Sequence, residues 1–373
     1  MSIPPEPALR HLLLNRSTLV CCGPGGVGKT TVAAALGLEA ARLGRRCVVV
    51  TVDPARRLAD ALGIEALGDE PTRINQPGLE GELWASMLDV KHVFDGLVRR
   101  YAPRPGQAEA ILANAFYQNL ASGLSGMQEY MAMEKLFDLS ERDAFDLIVV
   151  DTPPNANAVD FVQAPTRLIR FLDNPVFRLA MLPARSVTLA GGVAGRALLR
   201  AISKVVGSNL VADAVAFLQA FEGMEAGFRQ RAAKVQALLA DRATAFILVT
   251  APQAGPVAQA HGLQEALAKA TLSVEALVVN RVHPRFSAPP LSEVASLAAT
   301  CGAQFDRLTN LADLLQVAQR EDDVIAPLVD SLPEGGWVTV PLLVSDVHDL
   351  PSLDAVGAHL VGRPAPGINA GVG

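Results

Sequence analysis

The chain has 373 residues, enough for one large α/β domain with insertions or for two or three smaller domains. Half of the residues are hydrophobic and 19% are charged, so a sizeable core is possible; the low charge suits a large partner interface or an apolar groove, or simply an Ala-rich composition. The net charge is −6 and no block of Lys and Arg stands out, which argues against a nucleic-acid-binding face.

The four cysteines, at 21, 22, 47 and 301, form no CxxC and no Cys/His metal spacing. A reducing, cytoplasmic setting is therefore expected. Residues 1–16 read as an N-terminal tail, in which Leu12-Leu13-Leu14 is too short for a signal peptide. The longest uncharged stretch, Ala243 to Gln264, contains Pro252, Gly255, Pro256 and three glutamines. It reads as a buried strand and loop, so no transmembrane segment is expected.

Short apolar runs follow at Thr18–Cys22, Cys47–Val52, Leu83–Leu88, Leu147–Val150, Ala245–Val249, Ala276–Val279 and Trp337–Val340. Continuous runs of this kind suit parallel strands covered on both faces. Helical stretches between them predict a doubly wound, mostly parallel α/β sheet. Two regions, about 91–140 and 160–240, carry helical periodicity with no strand. They are expected to be helical insertions, packed at one sheet edge, in a single domain over 17–360. Residues 361–373, rich in Gly, Pro and Ala, read as a flexible tail.

The chemistry begins after the first strand. Gly23, Gly28, Lys29 and Thr30 satisfy GxxxxGK[ST] between a strand and an Ala-rich helical stretch. In such a loop the backbone of Gly23, Gly25, Gly26, Val27 and Gly28 curls around phosphates at a helix N-terminus. Lys29 is expected to bridge the β- and γ-phosphates of ATP, with Thr31 beside it, and the Thr30 hydroxyl to ligate Mg²⁺. Asp53 ends the next strand, where ligands bind in open α/β sheets. It is placed to polarise an attacking water or to hold magnesium through water, or to cap a helix before Pro54, and a functional role and the cap are compatible. Asp151, after Leu147-Ile148-Val149-Val150, reads as a Walker B aspartate binding the magnesium hydration shell.

Gly23-x-Gly-Gly-Val-Gly-Lys-Thr-Thr, Thr51-Val-Asp-Pro-Ala, Asp151-Thr-Pro-Pro and Val278-Val-Asn280 together resemble the ArsA family of ATPases. That family includes the arsenite-pump ATPase and the ATPase that targets tail-anchored membrane proteins. The resemblance runs from about Thr18 to Leu350 and is nearest to the paired ArsA-like ATPases of actinobacteria. It includes Ser125–Glu129, similar to a Pro-Gly-x-x-Glu segment, and Pro341-Leu342-Leu343, similar to a segment near the adenine. It implies a dimer with two facing nucleotides, Asp53 in a first switch, Asp151 opening a second, and Asn280 and Pro341 near the adenine. Gln253 matches a position where relatives often carry Glu near the nucleotide. The helical insertions would form a subdomain with a groove for a hydrophobic or membrane-protein client.

The departures are informative. The family's signature lysine, which reaches across the dimer, is replaced by Pro24, which has neither charge nor N–H. The chain is therefore expected to pair with a second ArsA-like subunit that keeps the lysine, or to hydrolyse slowly. Asn155-Ala-Asn-Ala replaces Thr-Gly-His-Thr in the second switch, and no CxxC follows Asn280, so no zinc-bridged dimer is expected. No cysteine matches an arsenite-binding position. Met127, Met131 and Met133 read as core filler before client contacts, His283 as a loop residue, and Pro183–Lys204 as either a lid or a helix–loop–helix connection. The alternatives are a low-activity nucleotide-binding scaffold, an arsenite or anion-pump ATPase, and a MinD- or ParA-type positioning ATPase. The last is disfavoured by a C-terminal stretch with one Arg and by the negative net charge.

Overall fold

Eight strands form one sheet in the order β3-β4-β2-β5-β1-β6-β7-β8. They are β1 (Thr18–Cys22), β2 (Arg46–Thr51), β3 (Thr72–Ile74), β4 (Glu82–Met87), β5 (Leu147–Asp151), β6 (Thr244–Thr250), β7 (Val274–Val282) and β8 (Trp337–Pro341). The computed structural model describes residues 8–53, 55–118, 127–153, 158–173, 213, 216–286, 291–298, 305–332 and 335–364. Every pairing is parallel except β3 with β4. The central strands β1, β5 and β6 are buried at every position, which is why they are continuous runs of Val, Leu, Ile, Cys and Phe without polar alternation.

The chain divides into two compact units: one of residues 1–87, 142–159 and 242–373, the other of 88–141 and 160–241. The first unit holds the sheet. Its helices include α1 (Ala8–Asn15), α2 (Lys29–Arg42) and α3 (Arg57–Leu62). Beside β2, α2 buries Val32, Leu36, Leu38 and five alanines, whose small side chains allow a close helix–sheet approach. A late helix, residues 350–361, packs on α2; Asp349 and Ser352 cap its start reciprocally. Arg363 then ties it to Glu39 of α2, donating at 2.6 Å, and to Asp354.

Two stretches differ from the sequence expectation. The presumed tail carries α1, whose Leu9, Leu12 and Leu13 are buried in the core of the sheet unit. Their i, i+3, i+4 spacing makes an apolar helix face rather than a free end. The strand β3 is new: three residues at the sheet edge, two of them exposed.

The second unit, whose range the expected insertions overlap, includes α4 (Val90–Tyr101), α5 (Gln107–Leu112), α6 (Met127–Glu141), α7 (Ala158–Leu172) and α8 (Glu225–Ala240). Its core is aromatic: Phe228 lies 5.0 Å from Phe221 and 5.4 Å from Tyr101, and Phe94 lies 5.2 Å from Tyr117. Glu134, buried on α6, accepts from Tyr130 (2.6 Å) and Arg231 (2.7 Å), so its charge is compensated. Met131 and Met133 are buried core residues. Residues 183–204 and 365–373 lie outside the described residues. No described helix is long and apolar enough to cross a membrane.

Leu13→Ala tests whether α1 belongs to the core. The cavity is expected to cost about 2–5 kcal/mol, read as a lower midpoint in urea unfolding. An unchanged midpoint would return residues 8–15 to the status of a tail.

Candidate nucleotide site

The glycine-rich loop leaves β1 at Gly23, hard against β6. A Cβ there would lie 2.0 Å from the carbonyl oxygen of Val249, so only glycine passes at this point. The loop ends at Gly28, which adopts φ 91° and caps α2. A Cβ at Gly28 would meet Asn280 Nδ2 at 2.3 Å. Asn280 occupies that space because its Nδ2 donates to the Val27 carbonyl at 2.8 Å. Next to it, Arg281 (φ 62°) sits at a register shift of β7 against β8 and donates to the Gly26 carbonyl at 3.0 Å. A bulge beside a site re-aims side chains, and here it brings two onto the loop.

Lys29 is buried, and its Nζ donates to the carbonyls of Gly23 (3.0 Å) and Pro24 (2.8 Å). Burial lowers its pKa, and the nearby Asp151 opposes the shift. Asp151 is 1% exposed. Its Oδ2 accepts from Thr30 Oγ1 at 2.7 Å and from Thr51 Oγ1 at 2.8 Å, while its Oδ1 is buried with no hydrogen-bond partner among the described residues. Burial pushes its carboxyl up to about 6, against the downward pull of the two hydroxyls and Lys29. An unsatisfied buried carboxylate oxygen beside a threonine hydroxyl is a hard-oxygen pair of the kind Mg²⁺ takes. The residues therefore fit that ion.

Asp53 follows β2. Its Oδ1 accepts from the Ala55 amide at 2.9 Å, and its Oδ2 lies 3.7 Å from the Arg57 guanidinium. This is a turn-type contact next to a loose ion pair. Thr152 holds the end of β1 by donating to the Cys21 carbonyl at 2.8 Å.

Gly26, Gly28, Lys29, Thr30, Thr31, Asp53, Asn280 and Pro341 line one cleft of about 390 Å³, within the usual range for a small-molecule site. Gly23, Gly25 and Val27 belong to the same loop without lining the cleft, and Asp151 is reached through Thr30. Gln253 stands apart: it is exposed at the start of a helix, residues 254–269, and is absent from the lining. The sequence reading gave no role to Thr51, Arg57 or Arg281. Thr51, at a strand end two residues before Asp53, is a signal that was available; the placement of Arg281 depends on the bulge and has no sequence signature. Asn155, Ala156 and Asn157 lie outside the described residues. Cys21, Cys22 and Cys47 are buried, and burial pushes the Cys22 thiol up to about 12, so it offers no thiolate.

The raised pKa of Asp151 gives a stability prediction. Between pH 4 and 6 the folded carboxyl holds its proton more tightly than the unfolded one. The contribution of Asp151 to stability should therefore fall as pH rises through that window and stay low above it. The displacement corresponds to roughly 3 kcal/mol at most. Asp151→Asn should be more stable than wild type at pH 8 and equal to it near pH 4 in urea unfolding. A constant difference between the two proteins at all pH values would contradict the assignment.

The family model described as anion-transporting ATPase matches residues 16–316. An uncharacterised protein of Streptomyces coelicolor is 32% identical over 269 residues, 72% of this chain. The match spans 63% of that protein's length, less than two thirds. ATPase ASNA1 homolog 1 of Paramecium tetraurelia is 26% identical over 280 residues, 74% of this chain and 79% of that protein. ATPase GET3 of Podospora anserina is 25% identical over 281 residues, 74% of this chain and 77% of that protein. With the strand–loop–helix cleft in place and residues 16–316 matched by the family model, this chain belongs to the anion-transporting ATPase family.

Proposed function

We propose that the cleft binds Mg-ATP and that its hydrolysis drives a dimeric switch. The observation that carries this reading is the Asp151 carboxylate, held by Thr30 and Thr51 with one buried oxygen left over, next to the Lys29 amine. On nucleotide binding Lys29 exchanges the carbonyls of Gly23 and Pro24 for phosphate oxygens, and the loop amides and the α2 N-terminus take the remaining charge. Thr30, and Asp151 through water, would hold the magnesium ion, which supplies charge neutralisation at the phosphates. Asp53, with Oδ1 fixed by Ala55, orients the attacking water with Oδ2. Asn280 and Pro341 flank the base. The helical unit serves a hydrophobic or membrane-protein client, and the setting is the cytoplasm.

Pro24 is buried and brings no charge to the loop. In this reading the chain pairs with a homologous subunit whose loop supplies a lysine in trans, since one such charge is worth several orders of magnitude in phosphoryl transfer. The same observation favours a second reading, a nucleotide-binding scaffold with negligible turnover.

ATP turnover separates the two. The purified chain alone should be nearly silent, and Pro24→Lys should gain at least about tenfold while dimerising with ATP. The backbone carbonyl that Lys29 uses survives that substitution. Brisk turnover by wild type alone would end the hetero-pair idea; no gain in the variant or with any lysine-bearing subunit would favour the scaffold. Lys29→Ala should lower whatever turnover is present by roughly a hundredfold or more. Retention of full turnover in that variant would place the chemistry elsewhere.

A further inference from the structure

Three cationic side chains line the cleft, Lys29, Arg57 and Arg281, and their engagements differ. Lys29 donates to two loop carbonyls. Arg281 donates to the Gly26 carbonyl. Arg57 makes no hydrogen bond among the described residues; its charge contact is Asp53 Oδ2 at 3.7 Å, and its side chain is 58% exposed. A loose, solvated ion pair of this kind holds a guanidinium weakly.

Position supplies the second element. Asp53 follows β2, which pairs with β5, the strand that ends in Asp151. Asn280 and Pro341 lie on β7 and β8, across β1 and β6 from that pair. A nucleotide with its base against Asn280 and Pro341 and its phosphates on the loop directs its last phosphate toward the β2–β5 side, where Arg57 stands. A planar guanidinium fork matches phosphate oxygens in two parallel hydrogen bonds.

We propose that Arg57 recognises the terminal phosphate of a bound nucleoside triphosphate and thereby sets the preference of the cleft for ATP over ADP. This deepens the Mg-ATP reading above and rests on it. Moving to the phosphate, Arg57 leaves Asp53 Oδ2, so the same step that reads the third phosphate uncovers the carboxylate oxygen that faces water. A diphosphate leaves the Arg57–Asp53 pair in place.

The test is calorimetric binding, with Mg²⁺ present, of ADP and of an ATP analogue with an imido β–γ bridge. Both are compared in wild type, Arg57→Ala, Arg57→Lys and the neighbouring Arg56→Ala. The proposal expects Arg57→Ala to weaken the analogue about tenfold or more, the worth of one charge-assisted contact, and ADP less than about twofold. Arg57→Lys should recover part of the preference, and Arg56→Ala should keep all of it. Equal weakening of both nucleotides, or no weakening of either, overturns the proposal while leaving the Mg-ATP reading intact. Failure of wild type to bind either nucleotide overturns both.

Discussion

The hydroxyls of Thr30 and Thr51 donate to the same oxygen of Asp151, and through that atom the first turn of α2, the end of β2 and the end of β5 are held together. The arrangement leaves the second carboxylate oxygen buried and unpaired. A buried, half-satisfied carboxylate costs stability, and here the cost appears as a carboxyl pushed up to about 6. Thr30, Thr51 and Lys29 offset only part of the cost of burying that charge. At the mouth of the cleft Thr30 donates to Asp151 and lines the space above the loop, and Lys29 donates to two backbone carbonyls.

The loop itself is fixed from the opposite side. Gly23 passes the Val249 carbonyl at a distance no side chain tolerates, and Asn280 clamps the Val27 carbonyl across the position of a missing Cβ at Gly28. Both constraints come from β6 and β7, whereas Asp53 and Asp151 come from β2 and β5. The glycine-rich loop after β1 is therefore gripped by strands on both sides of the central strand, at the point of an open sheet where ligands bind. The bulge at Arg281 belongs to the same design, since it alone lets two successive residues of β7 reach the loop.

Much of this was legible in the sequence because it rests on short-range pattern. The apolar runs of β1, β5 and β6 are buried at every position, and the strand–loop–helix around Lys29 follows from glycine spacing. What was not legible depends on partners distant in the chain. Residues 72–74, two of them exposed, have no burial signature of their own and pair only because β4 passes beside them. The three consecutive leucines at 12–14 hid a helix face that becomes evident only with Leu9 and the core it meets. Gln253 sits close in sequence to the end of β6, yet the turn into the following helix leaves it exposed and away from the cleft lining. Arg57 is one of two adjacent arginines without a role in the sequence reading, and only the fold places it 3.7 Å from Asp53.

The central claim is that the Asp151 oxygen without a partner awaits a divalent cation delivered with nucleotide. It is tested most directly by the thermal midpoint of the wild-type chain with Mg²⁺ alone, with ATP and a chelator, and with both ATP and Mg²⁺. Ligands that bind only the folded state raise the midpoint in proportion to the logarithm of their occupancy. The account predicts a rise with Mg-ATP clearly larger than the sum of the two separate rises. Strictly additive shifts, or a full shift with ATP and chelator, would contradict it.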